Sequence, residues 1–194
     1  MSRPILFYIS AGHGGNDPGA VAGGYKEKDM TLYIAKECYK YLQEKGYKTI
    51  LARATDYNMP ITTKTNAMNK LSKTYRVVAI DIHINAGGGD GAEVIVSGVK
   101  GSTKNILGKE LAGYILDEVK KAGQNSRGIK TRLASNGSDY FGFIRQPNKG
   151  VPVIFELGFI DNVKDRKDFD TKAEQKKFAK AIGRGCIQYY KKHK

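Results

Sequence analysis

Two of the three histidines in this chain, His13 and His83, and two carboxylates, Glu27 and Glu156, are the side chains whose types could do chemistry together. Two neutral imidazoles with one carboxylate form a known catalytic zinc set that leaves a fourth position for water. His13 follows the apolar run Ile5 to Ser10, His83 follows Arg76 to Ile82, and Glu156 ends Val151 to Phe155. Such runs read as strands, and open α/β sheets bind ligands outside the carboxyl ends of their strands. Glu27 stands in Lys26-Glu27-Lys28-Asp29, between a Gly-rich loop and a helix. The spacing is long-range, unlike the local His-Glu-x-x-His pattern of a helical zinc site. On spacing alone the histidines also fit satisfied polar residues at strand ends. Glu27 on that ground fits a solvated helix-entry charge more readily than a ligand.

The elements that must position these residues alternate as β-α-β-α, which predicts a single α/β domain with a twisted, mostly parallel sheet flanked by helices on both faces. A helix is expected from Asp29 as N-cap to Lys45, with Ile34, Cys38, Tyr41 and Leu42 at helical spacing and Gly46 as the stop. Lys48 to Ala52 reads as a strand, and Ile61, Thr65, Met68 and Leu71 mark a short helix. The run Arg76 to Ile82 reads as a fully buried strand ending at His83. After glycines 87 to 89 and 91, Glu93 to Ser97 reads as another strand. A helix lined by Leu107, Leu111, Ile115 and Val119 ends in Lys120, Lys121 and Gly123. The stretch from Gln124 to Lys149 shows no clear period. The last helix opens on a capping box, Thr171 to Glu174, and carries Phe178, Ile182 and Tyr189 on one face.

At 194 residues the chain suits one core, since domains typically run to roughly 100 to 200 residues. Residues 1–190 are read as that domain and 191–194 as a solvated basic tail or the start of a linker. No apolar stretch approaches the roughly 18 residues that span a bilayer, and Pro4 to Ile9 is too short for a signal-peptide core, so neither membrane insertion nor a secretion signal is expected. Cys38 and Cys186 fall on apolar helix faces and read as reduced core residues. Lysine and arginine number 33 against 19 acids, a formal net charge of +14, which implies attraction to a polyanion. The basic residues are scattered and form no aromatic-interleaved patch, so nucleic acid is not the expected partner.

Several segments together resemble one family. Ser10-Ala11-Gly12-His13-Gly14-Gly15-Asn16-Asp17-Pro18-Gly19-Ala20 and Lys26-Glu27-Lys28-Asp29 resemble the opening of the zinc N-acetylmuramoyl-L-alanine amidases. Leu51 to Asp56 resembles the family's arginine-containing strand end, with Arg53 as the arginine. Ile82-His83-Ile84-Asn85-Ala86 resembles its His-x-Asn motif, and Pro152 to Asn162 its glutamate motif. In order and spacing these cover nearly the whole chain.

The resemblance implies that His13, Glu27 and His83 bind one zinc ion per chain and that Glu156 is the catalytic acid/base. It implies hydrolysis of the amide between N-acetylmuramic acid and L-alanine in peptidoglycan, with wall lysis as the result. Two positions depart from the family: Asp81 stands where serine is frequent, and Lys64 where arginine is common. Asp81 shares the strand face of His83, so it either supports that ligand from behind or pairs with a surface lysine. Asn85 and the glycines after it either shape the substrate groove, with Asn85 binding substrate, or form a flexible connector. Anionic wall polymers such as teichoic acids are an expected electrostatic attraction. The missing secretion signal suggests a bacteriophage endolysin, made in the cytoplasm and released to the wall. A secreted autolysin's catalytic fragment would look the same. A zinc peptidase acting within the stem peptide and a non-catalytic wall-binding module are the rival readings.

Overall fold

The computed structural model describes residues 3–194, in which a six-stranded sheet lies between two helical layers. The chain begins with β1 (Ile5–Ala11), a small ribbon of β2 (Val21–Ala22) and β3 (Tyr25–Lys26), and α1 (Glu27–Glu44). Next come β4 (Thr49–Leu51), α2 (Ile61–Leu71), β5 (Arg76–Asn85), β6 (Ala92–Val96) and α3 (Thr103–Lys121). The chain closes with β7 (Ser126–Thr131), α4 (Gly142–Arg145), β8 (Val151–Phe159), α5 (Val163–Arg166) and α6 (Lys172–His193). The strand order is β4-β1-β5-β8-β6-β7, parallel throughout except where β6 meets β8.

Alternation along the central strands builds two cores. Phe7, Ile80 and Val153 face α1, α3 and α6, where Ile34, Ile115 and Ile182 are buried against them. Leu6, Tyr8, Ala79 and Ile154 face the thinner layer of α2 and α4 with Met68, Phe143 and Ile144. Cys38 and Cys186 are free and buried in the larger core, as expected. Among the described residues no helix is long and apolar enough to cross a membrane.

Several boundaries differ from the sequence reading. Helix α1 starts at Glu27 after Lys26, so Asp29 lies in the first turn, where its charge suits the helix dipole. Strand β5 runs past His83 to Asn85, and β8 runs past Glu156 to Phe159, because buried Ile84, Leu157 and Phe159 extend the strand pattern. The stretch without a period contains β7, an edge strand with little buried side chain, and the four-residue α4. The basic tail is the last turn of α6, with Lys192 and His193 both paired to Glu110. The N-cap half of the expected capping box is present: the Thr171 hydroxyl accepts from the Glu174 amide at 3.1 Å.

Candidate active site

The site forms on the α2 face of the sheet, at the carboxyl ends of β1 and β5. His83 and Glu156 are register partners on adjacent parallel strands, so both side chains project from the same row. His13 comes from the loop after β1 and has φ of 55°, a left-handed conformation uncommon outside glycine. Asp17 holds that loop. Its Oδ1 accepts from the Gly19 amide at 3.0 Å and its Oδ2 lies 2.8 Å from His13 Nδ1, which leaves Nε2 to point inward.

His13 Nε2 lies 3.1 Å from Glu27 Oε2, and His83 Nδ1 lies 2.9 Å from Glu27 Oε1. Glu27 is only 3% exposed, so it is no solvated helix-entry charge. Its two oxygens also accept from the amides of Ala20 at 2.9 Å and Ile84 at 3.0 Å, fixing the carboxylate plane. Burial opposes ionisation of Glu27, yet the hydrogen bonds to His13 and His83 outweigh it and hold its carboxyl well below the usual range. Two glycines make the approach feasible. A Cβ at Gly12 would stand 2.4 Å from the His83 ring, and one at Gly19 would stand 2.5 Å from Glu27 Oε2.

One ligand atom from each of His13, Glu27 and His83 lies within 4.8 Å of the others, so the three can hold a metal ion. The donor set fits zinc: four ligands at about 2.0 to 2.1 Å in a tetrahedron sit roughly 3.3 Å apart. The nitrogen–oxygen separations of 3.1 and 2.9 Å, one to each Glu27 oxygen, are on that scale.

Asp81 and Lys64 are both buried, and the lysine ammonium lies 3.0 Å from Asp81 Oδ1 and 3.0 Å from the Ala11 carbonyl. Asp81 Oδ2 is also 3.5 Å from His83 Nε2. The aspartate thus meets both partners considered from the sequence, but its lysine is buried in the fold and not on the surface.

Glu156 differs from every other acid in the site. Its Oε2 is buried and has no hydrogen-bond partner among the described residues. Burial pushes its carboxyl up to about 7; His83 opposes the shift, while the charges of Glu27, Glu93 and Asp81 add to it. A carboxyl of this kind, beside a candidate metal position, suits proton transfer near neutral pH.

Asn85 is engaged at both ends of its amide, donating to Glu93 Oε1 at 3.0 Å and accepting from the Ala86 amide at 2.9 Å. The glycines after it are pinned. Asp161 accepts from the amides of Gly87 and Gly88, Asp165 accepts from Gly91, and Asn162 donates to the Gly89 carbonyl. This loop is a fixed wall tied to the segment that follows Glu156.

Asp17, Glu93 and Arg127, whose Nε donates to Glu93 Oε2 at 3.0 Å, were not among the expected site residues, and Arg53 was expected without a role. Arg53 is 1% exposed, and its Nη2 donates to the Gly12 carbonyl at 2.9 Å, bracing the loop that carries His13. Asp17, four residues from His13 in a Gly-rich loop, was open to detection. Glu93 and Arg127 meet only through the order of strands.

With this geometry in view, the sequence profile of the family described as N-acetylmuramoyl-L-alanine amidase matches residues 8–188. The chain belongs to that family. A germination-specific N-acetylmuramoyl-L-alanine amidase of Bacillus subtilis is 30% identical over 200 residues, covering 95% of this chain and 79% of the relative. Cwp6 from Clostridium difficile superposes on the amidase with a TM-score of 0.86 at 30% identity, over 97% of this chain and 29% of that one. The amidase AmiC2 of Nostoc punctiforme shares the fold with a TM-score of 0.83 at 23% identity, covering 98% of this chain and 99% of its own.

Proposed function

We propose that the chain is a zinc-dependent enzyme that hydrolyses the amide between N-acetylmuramic acid and L-alanine in bacterial peptidoglycan, with His13, Glu27 and His83 holding one zinc ion. The observation that carries this reading is the buried Glu156 Oε2, without a hydrogen-bond partner among the described residues, in a site that also holds a three-residue cluster fit for a metal. Zinc in such a site polarises a carbonyl and lowers the pKa of water.

The remaining chemistry belongs to the chain. Glu156 accepts the proton of the attacking water and returns it to the alanine nitrogen as the carbon–nitrogen bond breaks, giving a carboxylate on the sugar side and a free amine on the peptide. Asp17 fixes the His13 ring from its far nitrogen, and Asp81 with Lys64 supports His83 from behind. The pinned loop 87–91 follows the strand that carries His83. The substrate places the protein's work at the cell wall, where anionic polymers attract its net charge of +14.

Elemental analysis tests the metal assignment: about one zinc per chain is expected from one three-ligand site. Chelation should abolish wall lysis and zinc should restore it. Full activity in metal-free protein would end the zinc reading.

A further inference from the structure

The row that joins His83 to Glu156 continues beyond them to the edge of the sheet. Glu156 is the register partner of Glu93 on β6, and Glu93 is the partner of Gly128 on β7, with a register shift between Ala92 and Glu93 beside it. Arg127 stands next to Gly128 at that shift. Its Nε donates to Glu93 Oε2 at 3.0 Å, and its guanidinium carbon lies 4.9 Å from the centre of the Phe159 ring. Glu93 is itself fixed by Asn85, and Phe159 packs against Gly89, where even a Cβ would come within 2.4 Å of the ring.

The guanidinium is therefore held along one edge and over an aromatic face. Its Nη1 and Nη2 meet no acceptor among the described residues, and the side chain is 40% exposed. Arg184 is held in the same way through Nε by Glu118 at 2.6 Å, but it stands on α6, on the other face of the sheet; Arg53 and Arg145 have Nη groups bonded to backbone carbonyls. An arginine anchored through Nε with its terminal fork free is preorganised to take a carboxylate end-on through two N–H bonds.

Resting on the amidase reading above, we propose that Arg127 is a substrate-binding residue that recognises a free carboxylate on the peptide stem, at the second or third residue from the bond cleaved. Neighbouring strands lie about 4.8 Å apart, so β7 is about 10 Å from the strand of Glu156. An extended peptide at roughly 3.4 Å per residue covers that distance in about three residues, and the reach of Arg127 back toward Glu93 shortens it. The recognised chemistry is a carboxylate as opposed to its carboxamide, which has the same shape and no charge.

The test is steady-state cleavage of synthetic muramoyl peptides that carry either a free carboxylate or a carboxamide at the second or the third stem residue. Wild-type protein should prefer the carboxylate at one of the two positions, which locates the contact. Arg127→Gln should lower kcat/KM on that substrate roughly 10- to 100-fold, mainly through KM, and should change the carboxamide little. Arg127→Lys should recover part of the loss. Calorimetric titration of the same peptides into Glu156→Gln protein should show the same preference in binding. Wild-type cleavage indifferent to the charge at both positions overturns this assignment alone, as does an equal loss on every substrate in Arg127→Gln, which would mark Arg127 as support for Glu93. A wild-type protein that cleaves no muramoyl peptide overturns the amidase reading and this assignment with it.

Discussion

A buried polar atom without a hydrogen-bond partner is costly in a fold, and Glu156 Oε2 is such an atom among the described residues. The proposed role as general base would account for it. Glu156→Gln keeps the shape and removes the proton acceptor, so lysis should fall by about 100- to 10,000-fold while zinc stays bound. Glu27→Gln should instead lose metal, since Glu27 is a proposed ligand. Zinc stoichiometry and lysis rate measured on both variants check the pair, and a reversal of the two signatures would exchange the roles. The pH profile follows from the same residue. With Glu156 as the proposed ionised base and its carboxyl pushed up to about 7, activity should be lost as pH falls through that value and should level off above it. A cation held nearby favours the ionised form, so in the zinc enzyme the inflection lies at or below about 7. A rate that rises as pH falls from about 7 to 5 would contradict the assignment.

At the scale of elements, the site depends on close approaches between β1, α1, α2 and β5. Gly12→Ala forces the His83 ring to move, and zinc affinity should drop by at least roughly 10-fold, the scale of losing an outer support of a ligand; competition with a chelating dye reads it. Lys64→Met strands a buried Asp81 and should cost about 3 to 5 kcal/mol in urea unfolding, whereas replacing both with apolar residues should recover most of the loss. These dependencies divide what the sequence displays from what it hides. The Thr171 capping box and the apolar spacing of α2 and α3 are local signals, and they were readable. The strand extensions past His83 and Glu156 were not, because a polar residue inside a buried run looks like its end. Strand β7 was hidden because an edge strand with exposed side chains carries no alternation. With it went the meeting of Glu93 and Arg127, which depends on β8, β6 and β7 lying side by side. The four site residues stood out because scarce histidines and a recurring family pattern flagged them, while their partners Asp17, Lys64 and Arg53 needed the folded geometry to gain roles.

The whole molecule carries 33 basic against 19 acidic side chains, and this excess acts beyond any single contact. Binding to intact anionic walls should weaken as salt rises, since surface charges are screened within about 8 Å at physiological ionic strength. Sedimentation of protein with purified walls across a salt series measures it, and salt-independent binding would remove electrostatics as the attraction. Purified peptidoglycan digested with the protein and examined by mass spectrometry, with end groups assayed in parallel, shows directly which bond is cut. Peptides with a newly free alanine amino terminus and sugar strands with no new reducing ends are expected. New amino termini deeper in the stem, or new reducing ends, would contradict the amidase reading.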